Sequence, residues 1–314
     1  MEPELLALGA ALPANVRLGT SSWSYPGWSG LVWQDEASEQ TLSKKGLPIY
    51  SQHPLFRTVS IDRSFYRPLS ASDYARYAAQ VPPDFRFMVK APSLITDALV
   101  RSEDGRGKQA NPAFLNPELA VQEFVAPALE GLGARLGALV FQLSPLPWHL
   151  LDQLPQTIAR LGDMLSALPA VTPHAPDAVI AVEVRDPQWL APDILPHFAK
   201  VLRDANATYC LGLHAKMPPL AEQLTLLRML WPGPLVCRWN LHPLHGPYGY
   251  ADAEKRYAPY DRIHDPEPEL HAELAQLVRT FASHGQRVHI AVSNHAEGCA
   301  PLSVQTLATQ IVGK

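Results

Sequence analysis

The chain has 314 residues, is 47% hydrophobic and 18% charged, and carries a formal net charge of −4 with a pI near 6.3. That composition excludes a disordered or fibrous chain and offers no global attraction for nucleic acid or anionic lipid. The length suits one large α/β domain, and no apolar run approaches the roughly 20 residues needed to cross a bilayer.

The opening "MEPELLALGAALPAN" has no basic segment ahead of its short apolar stretch, so a cytoplasmic location is expected. Residues 1–15 read as a loose N-terminal extension, with the folded domain spanning 16–314. From there the chain repeats one rhythm: an apolar run, a polar tip, a helical segment. The runs are "VRLGTSSW" (16–23), "TVSIDRSFY" (58–66), "RFMVKAP" (86–92), "LGALVFQLS" (136–144), "VIAVEVRD" (179–186), "TYCLGLH" (208–214), "LVCRWNL" (235–241) and "RVHIAVSNH" (287–295).

Helical periodicity fills the gaps. A short helix fits 39–53, and "SASDYARYAAQ" opens with Ser70 and Asp73 in capping-box spacing. Further helices are expected near 117–132, 152–167, 191–204, 219–230 and 302–312. The clearest lies over 266–284, where Leu270, Leu274, Leu277, Val278 and Phe281 share one face. Two connections stand out. "RSEDGRGKQANP" (101–112) is polar and follows the third strand, where it is either a lid or a solvated loop; residues 241–269 are long and rich in tyrosine and histidine. Cys210, Cys237 and Cys299 form no C-x-x-C pair, and the two in apolar runs read as small buried hydrophobes.

Eight strands alternating with helices predict parallel pairing and a closed (β/α)8 TIM barrel, a single domain with long loops on the strand C-terminal face. The alternative is an open doubly wound sheet, but the first strand–helix turn, "GTSSWSYPGW", lacks G-x-G-x-x-G.

Strand side chains alternate between the barrel interior and the helices. Taking the more hydrophobic parity as facing the helices leaves an inward set of Ser21, Trp23, Asp62, Ser64, Lys90, Gln142, Glu183, Arg185, His214, Arg238, Asn240, Ser293 and His295. A core-only barrel would hold Val, Ile and Leu there. Lys90, Arg185 and Arg238 set against Glu183 and Asp62 suit a small anionic substrate, a carboxylate or phosphate. Glu183 is the first candidate acid/base and His295 the second. Lys90 reads foremost as a point charge on a substrate oxygen or on Glu183, with a nucleophilic amine as the lesser alternative. Glu183, His214, His242, His245 and His295 are the available metal donors, but no H-E-x-x-H occurs and acidic residues are scarce, so neither a metal nor a cofactor is expected. Of the aromatics Trp23, Tyr25, Trp28, Tyr66, Trp189, Trp239, Tyr248 and Tyr250, most read as packing; Tyr66 is the one expected to face a ligand.

The blocks "GTSSWSYPGWSG" (19–30), "SFYRPLS" (64–70), "FRFMVKAPSLIT" (85–96), "LGALVFQLSP" (136–145), "AVEVRDPQWL" (181–190) and "VSNHAEGCAP" (292–301) resemble, in order and spacing, the DUF72 (YecE-like) family. The resemblance implies a TIM barrel and a motif set of Trp23, Phe65, Tyr66, Lys90, Gln142, Glu183, Arg185, Asn294 and His295; it implies no particular reaction. Asn294 has outward parity, as if the strand had already ended. The chain departs from the family pattern at Ser60 (usually glutamate), Asp62 (usually asparagine), Asp186 (usually histidine) and Ser293 (usually asparagine).

The reading is an enzyme using acid/base chemistry, with Glu183, Lys90 and His295 catalytic and Trp23, Asp62, Tyr66, Gln142, Arg185, Arg238 and Asn294 holding substrate. The alternative is a non-catalytic ligand-binding or regulatory barrel. A nucleic-acid-processing enzyme ranks last, because the acidic balance argues against a broad phosphate footprint.

Overall fold

The computed structural model describes residues 3–101 and 107–313. Its barrel strands are β1 (Val16–Thr20), β2 (Phe56–Ile61), β3 (Arg86–Lys90), β4 (Leu136–Gln142), β5 (Val179–Glu183), β6 (Ala207–His214), β7 (Leu235–Leu241) and β8 (Val288–Val292). Each lies within or beside an apolar run of the sequence. All pair in parallel, each with its sequence neighbours, and β8 closes on β1. The doubly wound alternative is therefore excluded: this is a (β/α)8 barrel in one domain.

The interior is layered by strand parity. At the amino-terminal end Arg17 and Arg86 share Asp177 at 3.0 and 2.8 Å. Above them Met88, Ala138, Val140, Val179, Ala181, Cys210, Val236 and Ala291 form a separate apolar plug. The next inward positions are Ser60, Lys90, Gln142, Glu183, Gly212 and Arg238, so the polar layer begins where the plug ends. The larger core lies outside, between the opposite strand faces and the helices. Cys210 and Cys237 are both buried, as expected of small hydrophobes.

The helices fall where periodicity put them, including Leu154–Ser166, Leu195–Asp204, Leu220–Met229 and Pro268–Ser283. Ser70 and Asp73 form the reciprocal capping box that starts Ala71–Ala78. Two segments differ from expectation. Residues Pro3–Ala11, read as a loose extension, form a helix that buries Leu8. It is held because the Arg57 guanidinium donates to the carbonyls of Gly9 (2.8 Å), Leu12 (3.3 Å), Pro13 (2.7 Å) and Val16 (3.2 Å). The charged loop after β3 carries an antiparallel hairpin, Leu99–Arg101 with Gly107–Ala110, beside the mouth; residues 102–106, the centre of the segment read as either a lid or a solvated loop, lie outside the described residues.

Gly19 sits where the β1–β2 register shifts. A Cβ there would lie 1.8 Å from the Thr58 carbonyl oxygen, backbone that cannot yield without moving a strand. Gly19→Ala is expected to destabilise the protein by about 1–3 kcal/mol; urea unfolding measures this, and an unchanged midpoint would contradict the packing described.

Candidate active site at the barrel mouth

The strand C-termini surround a cavity of about 1410 Å³ whose wall includes Asp62, Tyr66, Lys90, Gln142, Arg185, His214, Arg238, Asn240 and His295. Seven different strands, or the loops directly after them, supply these groups. Inward residues scattered over more than two hundred positions of sequence thus meet in one place.

Beneath the cavity floor lies Glu183, 0% exposed. Its Oε1 is 2.7 Å from Arg185 Nη2 and accepts from Asn240 Nδ2 at 3.2 Å; its Oε2 accepts from Arg238 Nη1 at 2.8 Å. Gln142 Oε1 accepts from both guanidinium groups, at 2.9 Å from Arg185 and 3.0 Å from Arg238. Arg238 reaches on with Nη2 to Asp62 Oδ2 at 2.7 Å, while the Ser60 hydroxyl donates to Asp62 Oδ1. The result is one chain of alternating charge, Asp62–Arg238–Glu183–Arg185, spanning β2, β7 and the end of β5. Burial alone would raise the Glu183 pKa, but Arg185 and Arg238 outweigh it and hold the carboxyl below its ordinary value.

Lys90 is the exception in this network. It is half-buried and lines the cavity, with Nζ 3.5 Å above the centre of the Phe65 ring. Among the described residues no hydrogen-bond acceptor or carboxylate pairs with it, because Asp62 and Glu183 are already taken by arginine. Burial, reinforced by Arg238 and Arg185 against the pull of Asp62 and Glu183, pushes its pKa down to about 7. The Ser64 hydroxyl lies 2.8 Å from the Ile61 carbonyl and 2.6 Å from that of Lys90, tying the Phe65 turn to the end of β3.

Two histidines face each other across Tyr250, whose ring centre is 5.6 Å from His214 and 5.4 Å from His295. His214 Nδ1 accepts from the Lys216 amide at 3.0 Å, and burial pushes its pKa down to about 3, so it is neutral. His295 sits between the Ser293 hydroxyl (3.1 Å to Nδ1) and the Tyr260 hydroxyl (3.2 Å to Nε2), and burial lowers its pKa as well. Lys216 Nζ stands 3.6 Å from Asp186. Among the described residues no three His, Cys, Asp or Glu side chains are placed to hold a metal ion.

Trp23 and Asn294 are set apart from the other expected binding residues. Trp23 is in the core, edge-on to Tyr77 at 5.6 Å. Asn294 is fully buried, and its Oδ1 accepts from the Trp28 indole N–H at 3.3 Å and the Ala300 amide at 2.8 Å. It follows β8, which ends at Val292, so its outward parity reflects the end of the strand. Ser64, also in the inward set, is buried in backbone contacts. Trp28, Trp189 and Trp239 are core, whereas Tyr66 is 82% exposed at the cavity edge. The sequence reading did not single out Ser22, Lys216 or Tyr260; Lys216, two residues past His214, was within reach of the strand-end argument.

The sequence matches the profile of a protein family described as "Protein of unknown function DUF72" over residues 17–314. The chain belongs to the DUF72 family. Two solved DUF72 proteins share its fold: one from Enterococcus faecalis, 18% identical with a TM-score of 0.60, covering 94% of this chain and 95% of that one; and one from Thermotoga maritima, 18% identical with a TM-score of 0.56, covering 95% and 99%. No curated protein matches the sequence. For this DUF72 barrel the comparisons establish family and fold, and the chemistry must be argued from the mouth itself.

Removing the Glu183 charge leaves two buried guanidinium groups without their shared partner. Glu183→Gln is expected to cost about 3 kcal/mol of stability at neutral pH. Because the folded pKa of Glu183 is depressed, that difference is fully present above its ordinary value of 4.5 and fades as pH falls through the lower folded value. Urea unfolding of both proteins across pH 3–8 measures it, and a difference that grows on acidification would contradict the assignment.

Proposed function

We propose that this DUF72 barrel is an enzyme that binds a small anionic substrate at its mouth and moves a proton there. The observation that carries the reading is Lys90, an amine inside a large cavity with no ion-pair partner among the described residues. Two arginines held rigid by a buried carboxylate stand in the same floor. Immobilised guanidinium forks recognise carboxylate or phosphate without first losing side-chain freedom. With Gln142 Oε1 held by both arginines, the amide –NH2 is the end left to donate to a ligand.

The acid/base assignment shifts within the expected set. Glu183, fully enclosed and held ionised, is proposed as the residue that positions Arg185 and Arg238. Lys90, poised near neutrality, is the proton carrier, and His295 with Tyr260 is the second candidate. Asp62 positions Arg238 from the other side. Tyr66 and Tyr248, 82% and 79% exposed, form an aromatic rim for the remainder of a substrate. A non-catalytic ligand-binding barrel draws support from the same enclosure of Glu183, since it removes the strongest carboxylate base from the cavity surface. The two readings part on whether any bound compound is turned over.

Inorganic phosphate or a short carboxylate is expected to raise the melting temperature of the wild-type protein, with binding weakened about tenfold or more in Lys90→Met. Because a lysine with a lowered folded pKa costs stability wherever it must be charged, Lys90→Met is also expected to stabilise the ligand-free protein by about 1–2 kcal/mol at pH 6. That gain shrinks as pH rises toward the ordinary lysine range. Thermal unfolding with and without ligand reads both effects. A wild-type protein indifferent to every small anion, or a Lys90→Met variant that binds equally well, would refute the proposal.

A further inference from the structure

We propose that Lys90 is a carbonyl-reactive amine, forming an imine with an aldehyde or ketone whose carboxylate or phosphate is held beside Arg185. The inference rests on the reading of the mouth as an anion site and names the substrate class and chemistry for it.

An amine can attack carbon only with its lone pair free, so a lysine in a carboxylate salt bridge is poorly suited to the task. The barrel keeps Lys90 out of such a bridge by geometry. Asp62, just past the end of the neighbouring strand, is held by Arg238 at 2.7 Å and by the Ser60 hydroxyl. Glu183 is held by Arg185 and Arg238 at 2.7 and 2.8 Å. What remains against Nζ is the face of Phe65. A cation above a ring is stabilised, yet the ring takes no proton and blocks no approach from the cavity side. By contrast, Lys200 and Lys216 are both ion-paired, and Lys44, Lys45 and Lys255 are exposed.

The charged groups facing Lys90 are Arg238, Arg185, Asp62 and Glu183, with His214 and His295 in the same cavity wall. Burial and the two arginines leave a large share of the amine neutral near pH 7, whereas an ordinary lysine is neutral in roughly four molecules per ten thousand there. The same arginines would attract the anionic end of a keto acid or phosphorylated carbonyl compound and so bring its carbonyl to the amine.

The step balances without a further reactant. The Nζ lone pair forms the C–N bond as the C=O π pair moves to oxygen. That oxygen takes up a proton as nitrogen gives one to solvent. A second proton converts the hydroxyl to leaving water, and the nitrogen lone pair completes C=N. The protonated imine then draws electrons from a bond on the adjacent carbon, the common requirement of α-proton transfer, decarboxylation and carbon–carbon cleavage.

The test is borohydride trapping on the full-length protein with glyoxylate, pyruvate and dihydroxyacetone phosphate, read by intact mass and peptide mapping. Hydride and a proton add across C=N, fixing the adduct as a secondary amine. The expected result is labelling at Lys90 at least tenfold above any other lysine, rising between pH 6 and 8 and suppressed by excess inorganic phosphate. Lys90→Arg should abolish the adduct while still unfolding cooperatively. No adduct at Lys90 with any of the three probes, or labelling spread evenly over the exposed lysines, in a protein that still binds phosphate would overturn the imine and leave the anion site standing. Failure to bind phosphate as well would remove both.

Discussion

The mouth of this barrel is organised by one carboxylate. Glu183 is fully buried between Arg185 and Arg238, and a buried charge left unpaired would cost several kcal/mol. Its partners are therefore not optional, and the fold is arranged to supply them. β5 and β7 are separated by β6, and the residue of β6 that lies between them is Gly212, in register with Arg238. A Cβ at that position would already touch the Glu183 carboxylate at 3.5 Å, so a longer side chain would occupy the space across which the ion pair forms. Gln142, in register with Glu183 on β4, closes the arrangement by accepting from both arginines.

From that constraint the rest of the site follows. Once Glu183 and Asp62 are committed to arginine, Lys90 has cationic neighbours and no ion-pair partner among the described residues, which is an unfavourable place for an ammonium. A sequence selected only for stability would place an apolar residue there, as the layer directly beneath does with Met88 and Val140. Local destabilisation at a cavity wall, maintained by a network that itself requires several exact pairings, is the pattern expected of a group kept for chemistry.

Much of this was legible in the residues. The eight strands followed from apolar runs of strand length, and period-two alternation placed Asp62, Lys90, Gln142, Glu183, Arg185, His214, Arg238, Asn240 and His295 at one end because a closed barrel gives inward parity only one destination. What alternation could not show is depth and pairing. It made Glu183 the leading proton carrier, when its position puts it below the cavity and under two guanidinium groups. It admitted Trp23 to the mouth, although β1 ends at Thr20 and the chain has turned into the core by then. Asn294 entered through the family resemblance; the structure shows a side chain that ties the helix after β8 to Trp28. The helix over residues 3–11 was missed because its attachment depends on Arg57, a contact no local pattern reveals.

The departures from the usual family pattern also acquire a physical meaning. Where the resemblance leads one to expect glutamate at position 60 and asparagine at 62, this chain has serine and aspartate, so the acidic group moves one inward position along β2 toward the mouth. Ser60 then donates to the Asp62 carboxylate, and that carboxylate reaches Arg238. The network retains its acid here. The central claim is that this network leaves Lys90 an unpaired amine with a lowered pKa, and the most direct measurement is an NMR titration of reductively 13C-methylated protein with Lys90→Arg to assign the resonance. The account predicts a single lysine signal titrating near pH 7 that disappears in the variant; a Lys90 signal that titrates with the exposed lysines above pH 10 would contradict it.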